Sequence, residues 1–299
     1  MIERKMTDIL SKLLMHLALL IFAVLCLVPM ILTISISLSD EQDLVLNGYS
    51  LIPRIFSGSA YQFLFKNPAA LITSYWVTIR TTFLGTLLGV LFMSMAAFSL
   101  SRKDFAWRKP IVFYIFFTML FSGGLVPMYM VVTRTLHMQD TLLVLFMPIM
   151  INAWNTFLLV TYLRSISFEM IESAKLDGAN EFTIYLRIIM PMAKPALAAI
   201  SLLLSLRLWN EWYSALLYIR DPKLIPLQYW MQRVMNNMQF LLMNQDMMGG
   251  GASSISMADL PTQSVRMAMA VLAAGPMMFV FPFFQKYFAK GLLVGSIKG

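Results

Sequence analysis

The chain has 299 residues, of which 59% are hydrophobic and only 13% are charged, and its mean hydropathy is +0.72. Soluble domains carry about a quarter charged residues, so this composition excludes an ordinary soluble domain and predicts that the chain lies in lipid. The net charge of +8 does not indicate nucleic-acid binding, because the basic residues cluster at the ends of apolar segments, as in membrane proteins. Membrane lipid is the expected partner, and no nucleic acid is expected.

Several segments are apolar enough for membrane-spanning helices, each of which needs about 20 residues. Lys and Arg concentrate in the connections before the first segment, after the second, after the fourth and after the sixth, so these connections are predicted to be cytoplasmic. The predicted fold class is an all-α integral membrane protein with six transmembrane helices and both termini in the cytoplasm. The six predicted spans are 13–37, 73–100, 110–132, 141–163, 195–219 and 267–288.

Glycine and proline interrupt two of the predicted spans. The third contains Gly123, Gly124 and Pro127, and the sixth contains Pro276 and Pro282. Such residues favour either close packing of neighbouring helices or a kink that bends when the bundle changes shape. The sequence leaves both interpretations open.

The connection between the fifth and sixth spans, residues 220–266, is long. Its first part, 224–243, is apolar but interrupted by polar residues, which predicts an amphipathic helix on the outer surface rather than a seventh span. The three consecutive glycines Gly249–Gly251 then predict a mobile loop.

The connection between the fourth and fifth spans, residues 168–195, combines charge with helical patterning. Ser167 and Asn180 are placed to cap two short helices, and Gly178 is placed to break the chain between them. Two interpretations follow: an amphipathic helix pair at the membrane surface, or a docking surface for a cytoplasmic partner. Apolar residues are expected to face the bundle and charged ones the cytosol: Phe168, Ile171, Phe182, Ile184, Leu186 and Ile188 inward, and Glu172, Lys175, Asp177 and Glu181 outward.

Motifs of catalysis and cofactor binding are missing from the sequence. It contains no phosphate-binding loop, no H-E-x-x-H and no G-x-S-x-G, and His16 and His137 stand alone without further metal ligands nearby. Glu211 is the only carboxylate within a predicted span, so a carboxylate pair for intramembrane hydrolysis is not available. The chain is therefore predicted to be non-catalytic, with no metal site.

The 168–195 connection resembles the EAA loop of ABC importer permeases. The shared elements are Glu172-Ser173-Ala174, Asp177-Gly178-Ala179 and Ile188 followed by Pro191, with Ser173 in place of an alanine and Met190 in place of a leucine. The resemblance runs from about the second span to the C-terminus. It includes Trp209-Asn210-Glu211, as in the carbohydrate branch related to the second membrane subunit of maltose importers, and segments 121–127 and 281–299, as in permeases for oligosaccharides and polysaccharide fragments.

This resemblance implies a role for the loop. It would be the coupling element that docks on an ATPase, through Glu172, Ser173, Ala174, Asp177, Gly178, Ala179 and Pro191. The C-terminal tail, with Gly295 and Lys298, would reach into the ATPase dimer, unless it is simply a frayed terminus. The implied partners are a second homologous permease subunit, two ATPase subunits and a periplasmic or surface-anchored solute-binding protein. The chain itself would bind no cofactor, since ATP and Mg²⁺ lie on the ATPases, and would be a multi-pass protein of the bacterial inner membrane.

Polar residues within spans usually face an interior cavity, so they are candidates for a substrate pathway. Arg207 and Glu211 are four positions apart and either neutralise each other or line that pathway. Arginines without partners there would attract the carboxylates of acidic oligosaccharides, and the aromatic rings of Trp154, Trp209, Trp212 or Tyr213 would stack on sugars. The candidate pathway residues are Arg80, Asn152, Asn155, Arg207, Trp209, Asn210 and Glu211.

The predicted organisation divides the chain at residue 72. Residues 1–72 hold the first span and first outer loop, and residues 73–299 hold the permease core. The predicted function is an ABC importer permease for oligosaccharides, working by alternating access. The alternatives are an ABC permease for a non-sugar solute and a self-contained secondary carrier, which would need inverted repeats and coupling carboxylates.

Overall fold

A computed structural model describes residues 2–243 and 262–291, with side chains for 11–241, 243 and 262–285. In these ranges the regular secondary structure is helical, apart from one isolated bridge between Ser39 and Phe56. The helices are α1 (Ile2–Ser37), α2 (Glu41–Asn47), α3 (Ser59–Leu64), α4 (Pro68–Ser101), α5 (Arg108–Leu120), α6 (Leu125–Met130), α7 (Met147–Met150), α8 (Ala153–Arg164), α9 (Phe168–Leu176), α10 (Glu181–Ile184), α11 (Met190–Met192), α12 (Lys194–Trp209), α13 (Tyr213–Tyr218), α14 (Leu227–Met243) and α15 (Thr262–Gly291).

The chain forms two compact units. One combines Met1–Pro68 with Arg233–Gly275, and the other combines Ala69–Gln232 with Pro276–Gly299. The second unit contains the 168–195 connection and the candidate pathway residues. The predicted division into 1–72 and 73–299 concerns function rather than compactness and stays a prediction.

Three helices in the described residues are long and apolar enough to cross a membrane: Ser11–Ser37, Pro68–Ser101 and Thr262–Gln285. Three bent pairs pass the same test together, which gives up to six spans when each pair counts as one. The predicted all-helical membrane fold is thereby confirmed. The bent pairs are Arg108–Leu120 with Leu125–Thr135, Leu142–Met150 with Ala153–Arg164, and Glu181–Met192 with Lys194–Trp209, bent by 115°, 51° and 79°.

The largest bend lies at the glycines of the third predicted span. Gly124 has φ +85° and ψ 173°, a conformation that is essentially restricted to glycine. A methyl group added at Gly123 or at Gly124 would have no neighbouring atom of this chain within 4 Å, so neither glycine packs against another helix of the chain, and Gly124 permits the bend. At Pro276 and Pro282, by contrast, α15 continues as one helix.

Close helix packing occurs at two other glycines, both in α4, for which no role was predicted. A methyl group at Gly89 would lie 2.5 Å from the carbonyl oxygen of Met150, and one at Gly85 would lie 2.8 Å from side chains of Phe146 and Leu208. The two glycines therefore let α4 approach α7 and α12 closely. Around this contact lies the core of the second unit, which includes the buried residues Met93, Leu159, Ile184 and Leu204.

The fifth predicted span, 195–219, is not one helix in the structure. Helix α12 ends at Trp209 and α13 begins at Tyr213. The amide of Asn210 donates a hydrogen bond to the carbonyl of Leu206, and the carboxylate of Glu211 accepts one from the backbone N–H of Ser214 at 2.7 Å. These side chains bind the backbone groups that a helix break leaves free, which makes the break tolerable.

The amphipathic helix predicted at 224–243 is present as α14, Leu227–Met243. Its N-terminus is held within the second unit, where the backbone N–H of Leu227 donates to the hydroxyl of Thr78 at 2.8 Å. The loop predicted to be mobile at Gly249–Gly251 and the tail residues Gly295 and Lys298 lie outside the described residues.

Candidate functional site

The 168–195 connection forms the predicted helix, turn and second helix. Helix α9 ends at Leu176, and Gly178 follows with φ +81°, a left-handed conformation that favours glycine. The N–H of Gly178 donates to the carbonyl of Lys175 and the N–H of Ala179 to the carbonyl of Ala174, at 3.0 and 2.9 Å. These bonds close α9 with a tight turn, as the Asp177-Gly178 pair predicted.

One of the two predicted helix caps is formed. The side chain of Asn180 accepts a hydrogen bond from the backbone N–H of Thr183 at 2.8 Å and caps α10. Ser167 occupies the capping position of α9, but its hydroxyl makes no capping bond. That part of the prediction was wrong, and water or a partner is left to bind the first N–H groups of α9.

The inward face of the loop differs in part from its prediction. Ile171 and Ile184 are buried, as predicted, but Phe168, Phe182 and Leu186 are exposed. Tyr185 and Ile189 are buried instead, at the two ends of a π-helical turn. Tyr185 is fixed there by a hydrogen bond of 2.7 Å between its hydroxyl and that of Ser94.

The tip of the loop is open to solvent. Glu172, Ser173, Asp177 and Gly178 are exposed, while Ala174 and Ala179 are half-buried beneath them. Leu176, for which no role was predicted, is 90% exposed. An apolar side chain this exposed beside a glycine turn is a candidate anchor for a partner protein. Its sequence signal was weak, because a single leucine among charged residues is common on any surface.

The charged residues Lys175 and Glu181 are exposed, as predicted, and they also form ion pairs that were not predicted. They form a closed ring of ion pairs with Arg102 and Asp104, which lie in the connection between α4 and α5. Arg102 donates to Glu181 at 2.8 Å and to Asp104 at 2.9 Å. Lys175 lies 2.8 Å from Glu181 and 3.3 Å from Asp104.

The ring changes the acidity of its members, which lie outside the predicted spans. Hydrogen bonding from Arg102 lowers the pKa of Asp104 from 3.8 to about 2, against a smaller opposing effect of burial. Hydrogen bonding to Glu181 raises the pKa of Lys175, and hydrogen bonding to Asp104 raises that of Arg102. All these shifts favour the charged forms, so the ring is fully ionised at neutral pH.

The remaining loop residue of the prediction, Pro191, lies in α11 and is exposed. The chain bends by 79° where Glu181–Met192 passes into α12. Proline has no backbone N–H to donate to the preceding turn, so a proline just before this bend is compatible with the interrupted helix.

The candidate pathway residues are dispersed in the described structure. Arg80 and Arg207 are exposed, and no hydrogen bond or ion pair joins either of them to Asn152 or Glu211 among the described residues. Arg207 therefore does not neutralise Glu211, whose carboxylate caps α13 instead. The guanidinium of Arg80 lies 5.8 Å from the ring of Trp76, a cation–π contact.

Other polar pathway candidates have structural bonds. Asn152 caps α8 by accepting from the N–H of Asn155, which is buried. Asn210 accepts a long hydrogen bond from Gln228 at 3.4 Å. Trp209 is only 5% exposed, so its ring is not open to a solute in this conformation, whereas Trp154 and Trp212 are exposed.

Comparison with known proteins shows the family to which the chain belongs. Residues 85–294 match the family described as binding-protein-dependent transport system inner membrane component. The chain belongs to this family, and the predicted resemblance to ABC importer permeases and the predicted location in the inner membrane are confirmed.

Individual relatives cover nearly the whole chain. It is 36% identical, over 94% of its length and 96% of the relative's, to the polygalacturonan/rhamnogalacturonan transport system permease protein of Bacillus subtilis. It is 27% identical to the arabinooligosaccharides transport system permease protein of the same organism, over 93% of its own length and 92% of the relative's. A solved bacterial ABC transporter involved in the import of the acidic polysaccharide alginate has a chain similar to this one, with a TM-score of 0.76 and 30% identity, over 94% of this chain and 98% of that one.

Proposed function

We propose that this chain is the permease subunit of an ATP-driven importer of oligosaccharides, and that the loop of its 168–195 connection docks on a separate ATPase. The observation that carries the proposal is the exposed tip at the Gly178 turn in a member of this transport family. The carboxylates of Glu172 and Asp177 at this tip would meet basic groups of the ATPase. Leu176 would enter an apolar pocket of the ATPase that lies between those basic groups.

The proposed topology has six spans with both termini in the cytoplasm. In this arrangement the bent pairs at 108–135 and 142–164 are the third and fourth spans, and α12 with α13 is the fifth. The loop of the 168–195 connection then lies on the same side as the termini. ATP-driven closure of two ATPase subunits would draw this loop and that of a second permease subunit together. The spans would then alternate between outward-open and inward-open states, with a solute-binding protein delivering the substrate outside.

Under this proposal the chain is non-catalytic and binds no cofactor. ATP and Mg²⁺ would be held by the partner ATPase subunits, since the sequence lacks a phosphate-binding loop of its own. The C-terminal tail, with Gly295 and Lys298, is proposed to contact the same ATPase pair.

Capture of the ATPase by purified chain in detergent tests the docking proposal. Leu176→Asp places a charge at the most exposed apolar residue of the loop and is expected to abolish capture, and Glu172→Lys to weaken it strongly. Leu46→Asp is a matched control, because Leu46 is also highly exposed, at 81% against 90% for Leu176, and lies on α2 in the first predicted outer loop. Equal capture by the Leu176→Asp and Leu46→Asp variants would contradict the proposal.

Reconstitution in liposomes tests the function as a whole. With ATPase, second permease and binding protein present, uptake is expected to require ATP and to stop with Gly178→Pro, which cannot adopt the positive φ of the turn. Uptake by this chain alone, without ATP, would instead identify a secondary carrier. Uptake of amino acids or polyamines in place of sugars would identify an ABC permease for another solute class.

For the substrate, we propose oligosaccharides, with acidic fragments preferred over neutral ones. This choice is supported by the relatives named for polygalacturonan/rhamnogalacturonan and for alginate, and by Arg80 and Arg207, whose charges have no ion-pair partner among the described residues. A guanidinium binds a carboxylate through two parallel hydrogen bonds and would select a uronic acid.

Competition between acidic and neutral oligosaccharides of equal length tests this preference. Arg207→Gln is expected to reduce uptake of the acidic one while leaving uptake of the neutral one, and Arg233→Gln, on α14, serves as a control for charge loss. The second candidate is a neutral substrate, which is favoured by the relative named for arabinooligosaccharides. Equal losses of acidic and neutral oligosaccharide uptake in Arg207→Gln would support it.

A further inference from the structure

The ring of Arg102, Asp104, Lys175 and Glu181 joins three parts of the second unit. Lys175 lies in the last turn of α9 and Glu181 is the first residue of α10, so their contact bridges the Gly178 turn. Arg102 and Asp104 belong to the connection between α4 and α5. The ring therefore fastens the two loop helices to each other and to a second connection of the bundle.

The helices that the backbone joins to the loop are not the ones that the ring joins to it. Through the backbone, the loop continues only into α8 on one side and α12 on the other. The ion pairs between Arg102 and Glu181 and between Asp104 and Lys175 span 79 and 71 positions, and they add a direct connection to α4 and α5. They act beside the hydrogen bond between Tyr185 and Ser94 of α4, so a displacement of the loop can reach α4 and α5 as well as α8 and α12.

Arg102 is the member of the ring that is best fixed. Its side chain is only 6% exposed, and its guanidinium lies 5.7 Å from the ring of Phe98 and 5.8 Å from that of Phe168. Exposed ion pairs do little to fix the orientation of their side chains. A buried guanidinium with two carboxylate partners and two aromatic neighbours is held in one orientation. Since Phe98 belongs to α4 and Phe168 opens α9, the same side chain contacts both sides of the junction.

We infer that Arg102 is a positioning residue that makes the docking loop and the connection between α4 and α5 move as one body. A displacement of the loop by the ATPase is then passed to α4 and α5 as well as to α8 and α12. The inference rests on the proposed function, since it requires an ATPase at the loop. It assigns to the ring a role in transmission, separate from the docking surface at Leu176 and Glu172.

The reconstituted complete transporter separates transmission from docking, because ATP hydrolysis and sugar uptake can be measured in the same liposomes. In Glu181→Gln and Arg102→Leu, the ATPase is expected to remain bound and to hydrolyse ATP, while uptake per ATP falls by roughly 5-fold or more, the lower range of allosteric coupling. Arg102→Lys keeps the charge but loses the forked contact, and it is expected to restore uptake per ATP only in part.

Two neighbours supply matched controls. Lys103 is exposed beside Arg102, and Glu169 is exposed on α9; neither forms an ion pair among the described residues. Lys103→Gln and Glu169→Gln are expected to keep the wild-type uptake per ATP. Since Arg102→Leu leaves a gap in a buried site and risks misfolding, the partly exposed Glu181→Gln variant is the deciding one.

The outcomes distinguish the two proposals. A wild-type uptake per ATP in Glu181→Gln overturns the inference but leaves the proposed function intact, provided that Leu176→Asp still loses the ATPase. Loss of the ATPase from Glu181→Gln also overturns it, because the ring would then belong to the docking surface. Failure of the wild-type chain to bind an ATPase at all overturns the proposed function itself.

Discussion

Ser264 donates two hydrogen bonds to one carboxylate oxygen of Glu41, from its backbone N–H at 2.9 Å and from its hydroxyl at 2.7 Å. The other oxygen of Glu41 accepts bonds from the hydroxyl of Thr262 at 2.9 Å and the N–H of Gln263 at 2.8 Å. Glu41 is 6% exposed. Its carboxylate therefore caps the first turn of α15, where a negative charge complements the helix dipole.

Replacing Glu41 by Gln is expected to destabilise the first unit by about 1–3 kcal/mol, because one acceptor becomes an N–H₂ group that faces N–H and O–H donors. The measurement is the free energy of unfolding of the purified chain in detergent. Glu169→Gln, an exposed acid on α9, is expected to change it by less than about 0.5 kcal/mol. Equal effects of the two variants would show that Glu41 contributes no more than a surface charge.

The features predicted from sequence were those that depend on local chemistry. The Gly178 turn and the Asn180 cap follow from residues within a few positions of each other, and the apolar segments follow from composition. A bend at Gly124 was one of two open interpretations, because glycine serves both bending and packing. The structure distinguishes them by the open space around this residue.

The features that were missed depend on contacts between distant positions. Glu41 meets Ser264 across 223 positions, and Arg102 meets Glu181 across 79. No periodicity or motif relates such residues in one sequence. The same holds for the hydrogen bond between Ser94 and Tyr185 of the π-helical turn, which lie 91 positions apart.

Gly89→Ala tests the close approach of α4 to α7. The added methyl would lie 2.5 Å from the carbonyl oxygen of Met150, a backbone atom that cannot turn away, so we expect a loss of about 1–3 kcal/mol in unfolding free energy. Gly275→Ala is the matched control in another long helix, because nothing lies within 4 Å of its methyl position. That variant is expected to be neutral or up to about 1 kcal/mol more stable. A neutral Gly89→Ala would mean that the two helices can separate at this point without cost.

Gly124→Ala tests the 115° bend between α5 and α6. Gly124 has φ +85° and ψ 173°, and any other residue in this conformation is strained by about 1–3 kcal/mol. Gly123→Ala is the neighbouring control, since its φ is not positive and its surroundings are equally open. Thermal unfolding in detergent is expected to show a lower midpoint for the first variant only. Similar midpoints for both would indicate that the bend straightens without cost.

Asp104→Asn tests the ion-pair ring through pH. Because hydrogen bonding from Arg102 lowers the pKa of Asp104 from 3.8 to about 2, the carboxylate stabilises the fold above its unfolded pKa and loses this effect as pH falls toward its folded pKa. The difference in unfolding free energy between wild type and variant is thus expected to be constant from about pH 8 to about pH 5, and to shrink below about pH 4. Asp177→Asn, an exposed carboxyl without an ion pair among the described residues, is the control and should show a small difference throughout. A difference that vanishes near neutral pH would contradict the ring.

Thr78→Val and Thr81→Val compare two buried hydroxyls that are three positions apart on α4. The hydroxyl of Thr78 accepts the N–H of Leu227, the first residue of α14, and both residues are almost fully buried. Valine has nearly the same shape but cannot accept, so that N–H would lose its partner at a cost of about 1–3 kcal/mol.

The hydroxyl of Thr81 instead donates to carbonyls of its own helix, at Val77 and Thr78, which keep their helical bonds without it. Its replacement is therefore expected to cost less than about 1 kcal/mol, and hydrogen exchange at the N-terminus of α14 should rise only in Thr78→Val. Equal exchange in both variants would mean that the bond from Leu227 to Thr78 does not hold this end of α14, and that packing of its apolar side chains positions it instead.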